Sequence, residues 1–477
     1  MKSIRLILCV LLFTLAFAVR LYGISNPLAD WHSWRQSDTA AVARNFRKSG
    51  IDLLRPRYDD LSNIQSGKDN PEGYRMVEFP IYQAVGAVTS GLFPQVPIEQ
   101  ILRLISICFT AGSVVILYIL LLRFVDFPTA LLGGIFYAVL PFGIYYGRTI
   151  LPDPMATFFA LLSLQLLSIN AVSTRRFIMI VCAGIAGAIS LLIRPMAIFL
   201  LFPTAFLLWE RGRLKLTVIN MFLYGAIVVP PILLWRRWIT FFPEGIPVSD
   251  WLYNKDNIRF KGAWFHWLFA KRLGELILGF WGLVPFVVGI IKKSHTKDTW
   301  FSMLWLSGLL AYFIIFAGGN VQHDYYQALM IPVIVWFTAK GAGYFLHPAS
   351  SWNPLVSRVV IGVCLIFAWM FSWYTVRTYF WINRPEIVEA GRMADSILPK
   401  DAKVIAPYNG DTTFLYQTNR RGWPLGFDID KKIAMGAQYY IGLKSTDDFW
   451  ETDQLAQKYM VLMRNDTFAI IDLTQKK

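Results

Sequence analysis

The sequence predicts a polytopic α-helical membrane protein that ends in a small α/β domain. Three observations carry this. The chain of 477 residues is 55% hydrophobic and only 16% charged, with a mean hydropathy of +0.45, whereas a soluble globular chain carries about 25% charged residues. Near-continuous apolar runs of helix-spanning length recur from the N-terminus to about residue 376. Beyond that point the chain is charged and carries short strand-like runs, a change of material that marks a second domain.

The spans follow in order. Residues 4–22 are apolar, with Lys2 and Arg5 ahead of them. Arg20 and Tyr22 stand where a signal-peptide cleavage site needs small residues, so this helix is read as uncleaved. Further spans are expected at 101–123, 128–146, 154–170, 177–193, 196–210, 216–235, 273–291, 299–317, 326–346 and 356–376. Residues 79–93 are apolar but short and rich in Gly and Pro, which reads as an interfacial or re-entrant segment.

Charge fixes the expected orientation. With the N-terminus inside and 79–93 not counted, four basic clusters all fall in the cytoplasm. They are Arg175 with Arg176; Arg211 with Arg213 and Lys215; Lys292 with Lys293 and Lys297; and Arg358. The expected topology has eleven spans, a multi-pass chain in the cytoplasmic (inner) membrane, and an extracytoplasmic C-terminal tail. The loops 24–78 and 236–272, the turns 148–153 and 318–326, and the tail then share the outer face. An active surface is expected there.

The net charge of +15 is explained by these loops and by anionic membrane lipids, not by nucleic acid. Cys9, Cys108, Cys182 and Cys364 all fall within expected spans and read as apolar fillers rather than a disulfide framework. No Walker-type phosphate loop is present, which argues against ATP as an energy source.

Two domains are expected, 1–377 and 378–477. In the second, strands are read at Lys403–Ala406, Tyr439–Leu443 and Phe468–Asp472, and helices at Glu386–Leu398 and Asp453–Tyr459. About 100 residues suffice for an independent α/β domain. Its expected role is a lid or docking module.

Candidate chemistry begins at Trp31–Lys48. Ser37 is read as a helix cap with Asp38 in the first turn. Val42, Ala43 and Phe46 form a thin apolar stripe, the pattern of an amphipathic helix at the membrane surface. Three more polar groups stand at expected outer span ends: Tyr145–Pro154 with Arg148 and Asp153, Arg194–Pro195, and His323-Asp324-Tyr325-Tyr326. Ionisable groups at such places are costly, so each is a functional candidate. Singly, Asp153 could cap a helix, Arg194 could snorkel, and the tyrosines could anchor an interface. Together, carboxylates, guanidinium groups and tyrosines suit the handling of a lipid-linked phosphate while a nucleophile is activated.

These residues resemble a known family. The chain is similar to the bacterial membrane glycosyltransferases of family 39, which share the GT-C fold with protein O-mannosyltransferases and the lipid A aminoarabinose transferase. Glu78-Phe79-Pro80-Ile81-Tyr82 resembles the family's Pro-Pro-Leu-type segment, and Arg148-Thr149-Ile150-Leu151-Pro152-Asp153-Pro154 its second-loop pattern. Ile193-Arg194-Pro195 stands where Lys-Pro is common, and His323-Asp324-Tyr325-Tyr326 with Pro332 resembles the late His-x-Tyr-Tyr turn. The match covers residues 1–375.

The resemblance implies a GT-C fold and transfer of a sugar from a polyprenyl-phosphate donor to an acceptor (glycan, lipid or protein), with inversion and no nucleotide sugar. It implies an Asp base, with Asp38 or Asp30 as the candidates and Asp153 sharing the role. The donor phosphate would be met by Arg35, Arg75, Arg148, Arg194, His323, Tyr325 and Tyr326, and the acceptor positioned by Trp34, Glu78 and Asp324. This sequence departs from the pattern twice. Arg35 occupies the position of the family's first-loop Asp, and Glu78 replaces a lysine. Some relatives hold a metal near the base; no spacing here supports one, and no cofactor is expected. A transporter or flippase of lipid-linked sugars is the alternative, although no inverted repeat is visible.

Overall fold

The computed structural model describes residues 2–169, 173–210, 214–292, 296–347, 353–446 and 449–477. Arg211, Arg213 and Lys293 lie outside the described residues, as does the side chain of Lys297. The chain divides into two compact units. One comprises Met1–Ile24, Arg103–Trp235 and Ser249–Thr378; the other comprises Ser25–Leu102, Arg236–Val248 and Tyr379–Lys477. The first external loop thus folds in one unit with the C-terminal residues, rather than as an appendage of the membrane helices.

Among the described residues, six helices are long and apolar enough to cross a membrane: Ser3–Arg20, Ile98–Phe124, Arg175–Ile193, Leu214–Ile239, Asp324–Leu346 and a stretch starting at Pro354. Phe127–Val139, Asp153–Ser168 and Thr299–Ile315 are shorter apolar helices. Three expected spans are broken. Residues 128–146 split at Leu140, where Pro141 removes a backbone donor and its ring disfavours helix in the residue before it. Residues 196–210 split into Pro195–Leu201 and Thr204–Trp209 around Phe202–Pro203. Residues 273–291 split into a wide π-type helix, His266–Ile277, and Leu283–Ile291. Gly279 and Phe280, both at positive φ, make the bend between them.

Glycine allows the closest helix crossing in the first unit. A Cβ on Gly341 would strike the Pro285 carbonyl, and one on Gly289 the Phe337 carbonyl. The helices Leu283–Ile291 and Ile331–Leu346 therefore touch backbone to backbone, the small-residue packing that replaces the hydrophobic effect in lipid. Arg20, fully buried, donates to the carbonyls of Ala16 at 2.7 Å and Ala138 at 2.9 Å. The second of these lies where the Pro141 break disrupts helix bonding.

The second unit is built on a five-stranded sheet in the order β2-β1-β3-β5-β4. The strands are β1 (Lys403–Ile405), β2 (Arg421–Trp423), β3 (Tyr439–Leu443), β4 (Tyr459–Arg464) and β5 (Phe468–Lys476). β1 is parallel to β2 and β3, pairing Lys403 with Arg421 and Val404 with Tyr439. β5 is antiparallel to β3, with Tyr439 opposite Asp472, and to β4, with Tyr459 opposite Lys476. One face is covered by Pro385–Ile397 and Thr412–Gln417, which bury Ile387, Leu415, Ile441 and Phe468 among others.

The loop 50–78 continues this sheet. Leu61 N–H donates to the Gly422 carbonyl at 2.8 Å, and Gly422 N–H donates to the Asp59 carbonyl at 2.9 Å. Leu61 itself sits in the core on the sheet's other face, with Trp423 and Tyr440. Gly422 lets β2 lie close against β1: a Cβ there would collide with the Val404 backbone.

The expected strands are present, and β2 and β4 are additional. The short runs Arg421–Trp423 and Tyr459–Arg464 alternate too little to stand out in sequence. The expectation for Trp31–Lys48 needs correction in two respects. The helix runs Ser33–Ser49, so Ser37 and Asp38 lie in its second turn and Ser37 is not the cap. His32, in the left-handed region at φ 53°, ends it instead. Residues Arg35–Ala43 are buried, so the helix packs inside protein against Ile81–Leu92 and Thr412–Gln417 rather than lying on a bilayer.

Candidate functional site: two buried ionic clusters

The candidate residues form two clusters, one in each unit. In the second unit the centre is Asp38, whose side chain is fully buried. Arg75 Nη2 lies 2.8 Å from Asp38 Oδ2. The Thr412 hydroxyl donates to Asp38 Oδ1 at 2.7 Å. Gln65 Nε2 reaches Oδ2 at 3.4 Å, a long and weak contact, and Gln65 Oε1 accepts from Arg75. The Arg75 guanidinium also lies over the Tyr58 ring, 5.2 Å from its centre. A buried carboxylate survives only if paired and hydrogen-bonded, and the Arg75–Thr412 arrangement does both.

The neighbours of Asp38 are sorted by their partners. Arg35 Nη2 lies 2.8 Å from Glu78 Oε2, both buried, so these two charges neutralise each other. Gln83 also donates to Glu78, at 3.0 Å. Asp30 accepts from Gln36 Nε2 at 2.9 Å and holds the start of the helix. The Trp34 carbonyl faces Thr412 Oγ1 at 3.3 Å. A C-terminal residue, Thr412, reaches Asp38.

Two further carboxyls in this unit were not singled out from sequence. Burial pushes Asp60 up to about 6, with Asp38 adding to the rise and hydrogen bonds from Ser62 and Tyr58 opposing it. Its carboxylate accepts the Ser62 N–H at 2.8 Å and the Tyr58 hydroxyl at 3.3 Å. Asp411 is also raised, first by burial and further by Asp38, although it caps Thr412–Gln417 through the Thr413 N–H. Asp38 contributes to both shifts, which makes its surroundings a candidate functional site.

In the first unit, Arg194 Nε lies 3.1 Å from Asp153 Oδ1. The two atoms are not aligned for a hydrogen bond, and Arg194 Nη2 is buried with no hydrogen-bond partner among the described residues. The guanidinium is 5.2 Å from the centre of the Tyr326 ring. Arg194 is presented by the break between Ser173–Ile193 and Pro195–Leu201, where Pro195 forces the preceding residue to extend. Asp153 opens its helix just ahead of Pro154. A cavity of about 20 Å³ beside Asp153, Tyr146 and Gly147 has room for one water.

Arg148, fully buried, donates to the Gly23 carbonyl at 2.9 Å and lies over Tyr145. Asp324 accepts the Tyr146 hydroxyl at 2.5 Å and faces Arg272 Nη1 at 3.6 Å. His323 stacks with Tyr325, and Tyr325 with Tyr326, their ring centres 5.4 and 4.6 Å apart. The Tyr326 carbonyl accepts the Tyr312 hydroxyl at 3.0 Å. Arg272 and Tyr146 complete this cluster; Tyr146 lies within the candidate stretch Tyr145–Pro154, whereas Arg272 was not among the sequence candidates. The only hint was a cation close to a span end.

Chemically, the second unit offers a paired, buried carboxylate and the first a buried guanidinium with donor capacity to spare. Among the described residues, no three His, Cys, Asp or Glu side chains gather as metal ligands.

The architecture is that of a multi-helix membrane protein of the GT-C type carrying a small sheet domain. Residues 82–235 match the family profile described as dolichyl-phosphate-mannose-protein mannosyltransferase. Among solved structures the chain is similar to ArnT from Cupriavidus metallidurans bound to undecaprenyl phosphate, at 13% identity and TM-score 0.66 over 97% of each chain. The apo form of that protein gives 14% and 0.63, again over 97% of each. It is also similar to the archaeal oligosaccharyltransferase AglB from Archaeoglobus fulgidus, in complex with an inhibitory peptide and a dolichol-phosphate. There the identity is 10% and the TM-score 0.56, over 99% of this chain and 74% of that one. No curated protein matches the sequence. The GT-C fold expected from the motifs is supported by these structural likenesses, and the mannosyltransferase profile covers about a third of the chain.

Proposed function

We propose that the chain is a membrane glycosyltransferase that moves a sugar from a polyprenyl-phosphate donor to an acceptor at the outer face of the cytoplasmic membrane. The observation that carries this reading is the Asp38 carboxylate, buried, paired with Arg75 and held by Thr412. Support comes from the fold likeness to proteins solved with undecaprenyl phosphate and dolichol-phosphate.

In the proposed reaction an acceptor oxygen or nitrogen attacks the anomeric carbon as the bond from that carbon to the phosphate oxygen breaks. The configuration inverts. Asp38 accepts the acceptor's proton, and an acceptor hydroxyl would take the place of the long Gln65 contact. The phosphate leaves with growing charge, and a buried guanidinium with donor capacity to spare, as Arg194 offers within its own unit, is the kind of group that stabilises it. Asp153 orients Arg194 rather than acting as a second base. Arg148 and Tyr326 complete the phosphate surroundings. Arg35 and Glu78, bound to each other, position the helix that carries Asp38.

The test is incubation of the purified protein in lipid with radiolabelled polyprenyl-phosphate sugars and envelope acceptors. Label is expected to appear on an acceptor with release of polyprenyl phosphate. Movement of intact donor between vesicle leaflets without any transfer would sink the reading in favour of a flippase.

A further inference from the structure

The loop 50–78 places a second row of side chains behind the Arg75–Asp38 pair. Residues 56–58 and 73–75 run antiparallel. Tyr58 N–H donates to the Gly73 carbonyl and Arg75 N–H to the Pro56 carbonyl, each at 2.8 Å. Arg57 lies opposite Tyr74, which sets Tyr58 and Arg75 on one face, diagonal to each other. Gly73, at φ 63°, lets the two segments close, since a Cβ there would strike the Tyr58 carbonyl.

Tyr58 and Asp60 are both buried. The Arg75 guanidinium stands 5.2 Å from the centre of the Tyr58 ring, within reach of a cation–π attraction. On the other side, the Tyr58 hydroxyl donates to Asp60 Oδ2 at 3.3 Å, and Asp60 Oδ1 is held by the Ser62 N–H at 2.8 Å. The groups thus stand in the order Asp60, Tyr58, Arg75, Asp38, with the phenol between a carboxyl and a guanidinium. Burial pushes the Tyr58 hydroxyl well up; Asp60 and Asp38 add to the rise and Arg75 opposes it. β2 meets Asp60 through the Gly422 backbone, while the side chain of the adjoining Arg421 reaches the Pro71 carbonyl at 3.4 Å.

We infer that Tyr58, tied down by Asp60, is a positioning residue that fixes the Arg75 guanidinium against Asp38, and that the charge on Asp60 strengthens Asp38 as the base. The inference rests on the glycosyltransferase reading and deepens it. An ionised Asp60 repels a second negative charge nearby, so Asp38 takes a proton more readily. It also turns the Tyr58 contact into a charge-assisted hydrogen bond, which holds the ring in place under Arg75.

Two measurements test this on the full chain in detergent. The first needs no substrate: melting temperature is followed across pH 5 to 7, where the protonated Asp60 favours the folded form. Asp38→Asn removes a like charge and is expected to move the fall in melting temperature to lower pH. Tyr58→Phe removes a hydrogen bond to the charged carboxylate and is expected to move it to higher pH. A fall at the parent's pH in both variants would overturn the coupling. The second measurement is transfer from a polyprenyl-phosphate sugar. Asp60→Asn and Tyr58→Phe are each expected to lower kcat about threefold with donor KM unchanged, and the double variant to be no slower than either. Asp60→Asn is also expected to move the acid limb of the kcat/KM profile to lower pH. Additive losses, or a profile scaled down without moving, would reduce Tyr58 to packing and overturn the inference. Absence of transfer by the parent, with the opposed melting shifts intact, would overturn the glycosyltransferase reading and uphold the coupling.

Discussion

The hydroxyl of Thr412 donates to Asp38 Oδ1 at 2.7 Å, although 374 residues separate them in the chain. One comes from the helix after the first apolar segment and the other from a six-residue helix of the C-terminal sheet domain. The tail is thereby part of the carboxylate's immediate surroundings, which goes beyond the lid or docking module expected from sequence.

Removing this hydroxyl tests the relationship directly. Thr412→Val is expected to lower turnover about tenfold, the cost of about one hydrogen bond to a charged group. Thr412→Ser is expected to retain most activity. Equal loss in both variants would mean that packing, not the hydroxyl, matters at this position.

Asp38→Asn is expected to reduce transfer by about 10²- to 10⁴-fold, the usual worth of a general base. Asp30→Asn, which keeps an acceptor for Gln36, is expected to stay within a few-fold of the parent protein. The assay is label transfer from a polyprenyl-phosphate sugar, with melting temperatures to confirm folding. A melting temperature lowered in Asp38→Asn is also expected, because Arg75 would be left buried beside a neutral group.

Arg194→Ala is expected to lower kcat more than it raises donor KM, because its unfilled donor meets charge that develops in the reaction. Asp153→Asn is expected to act through the same arginine. In a double-mutant cycle the two effects therefore fall well short of additive. Additive losses would separate Asp153 from Arg194 and return it to an independent role.

Stability should depend on pH through Asp60. Its folded value, about 6, lies above the ordinary carboxyl value of 3.8, so the folded form holds its proton more tightly than the unfolded chain. Stability is then lost as pH rises from about 4 to about 6, by about 3 kcal/mol at most. The raised Asp411 acts in the same direction. Asp60→Asn is expected to flatten the fall in melting temperature between pH 5 and pH 7.

Much of this architecture was legible in the sequence. The apolar runs mark the membrane helices because hydropathy over a span's length is a strong signal. Tyr439–Leu443 was located to the residue because continuous apolar runs are how buried strands look. The breaks at Leu140 and Phe202 were not foreseen, even though Pro141 and Pro203 mark both, because hydropathy does not register a lost backbone donor. The site was read half-way. Asp153 and Arg194 stood out as charges at span ends, Asp38 as the acidic residue of the first-loop helix, and Arg75 as a cation that could take the role lost at Glu78. Thr412, Gln65 and Arg272 did not, since a threonine at a helix start and a glutamine in a loop look ordinary until the fold supplies their partners. Pairing was likewise invisible: Arg35 and Arg75 looked alike in sequence, yet one faces Glu78 and the other Asp38.

The sheet that accepts Leu61 beside Gly422 also sets an order of events during synthesis. The stretch 50–78 has no backbone partners for this edge until residues some 350 positions downstream have emerged. Assembly of this edge therefore waits until the C-terminal sheet has been made.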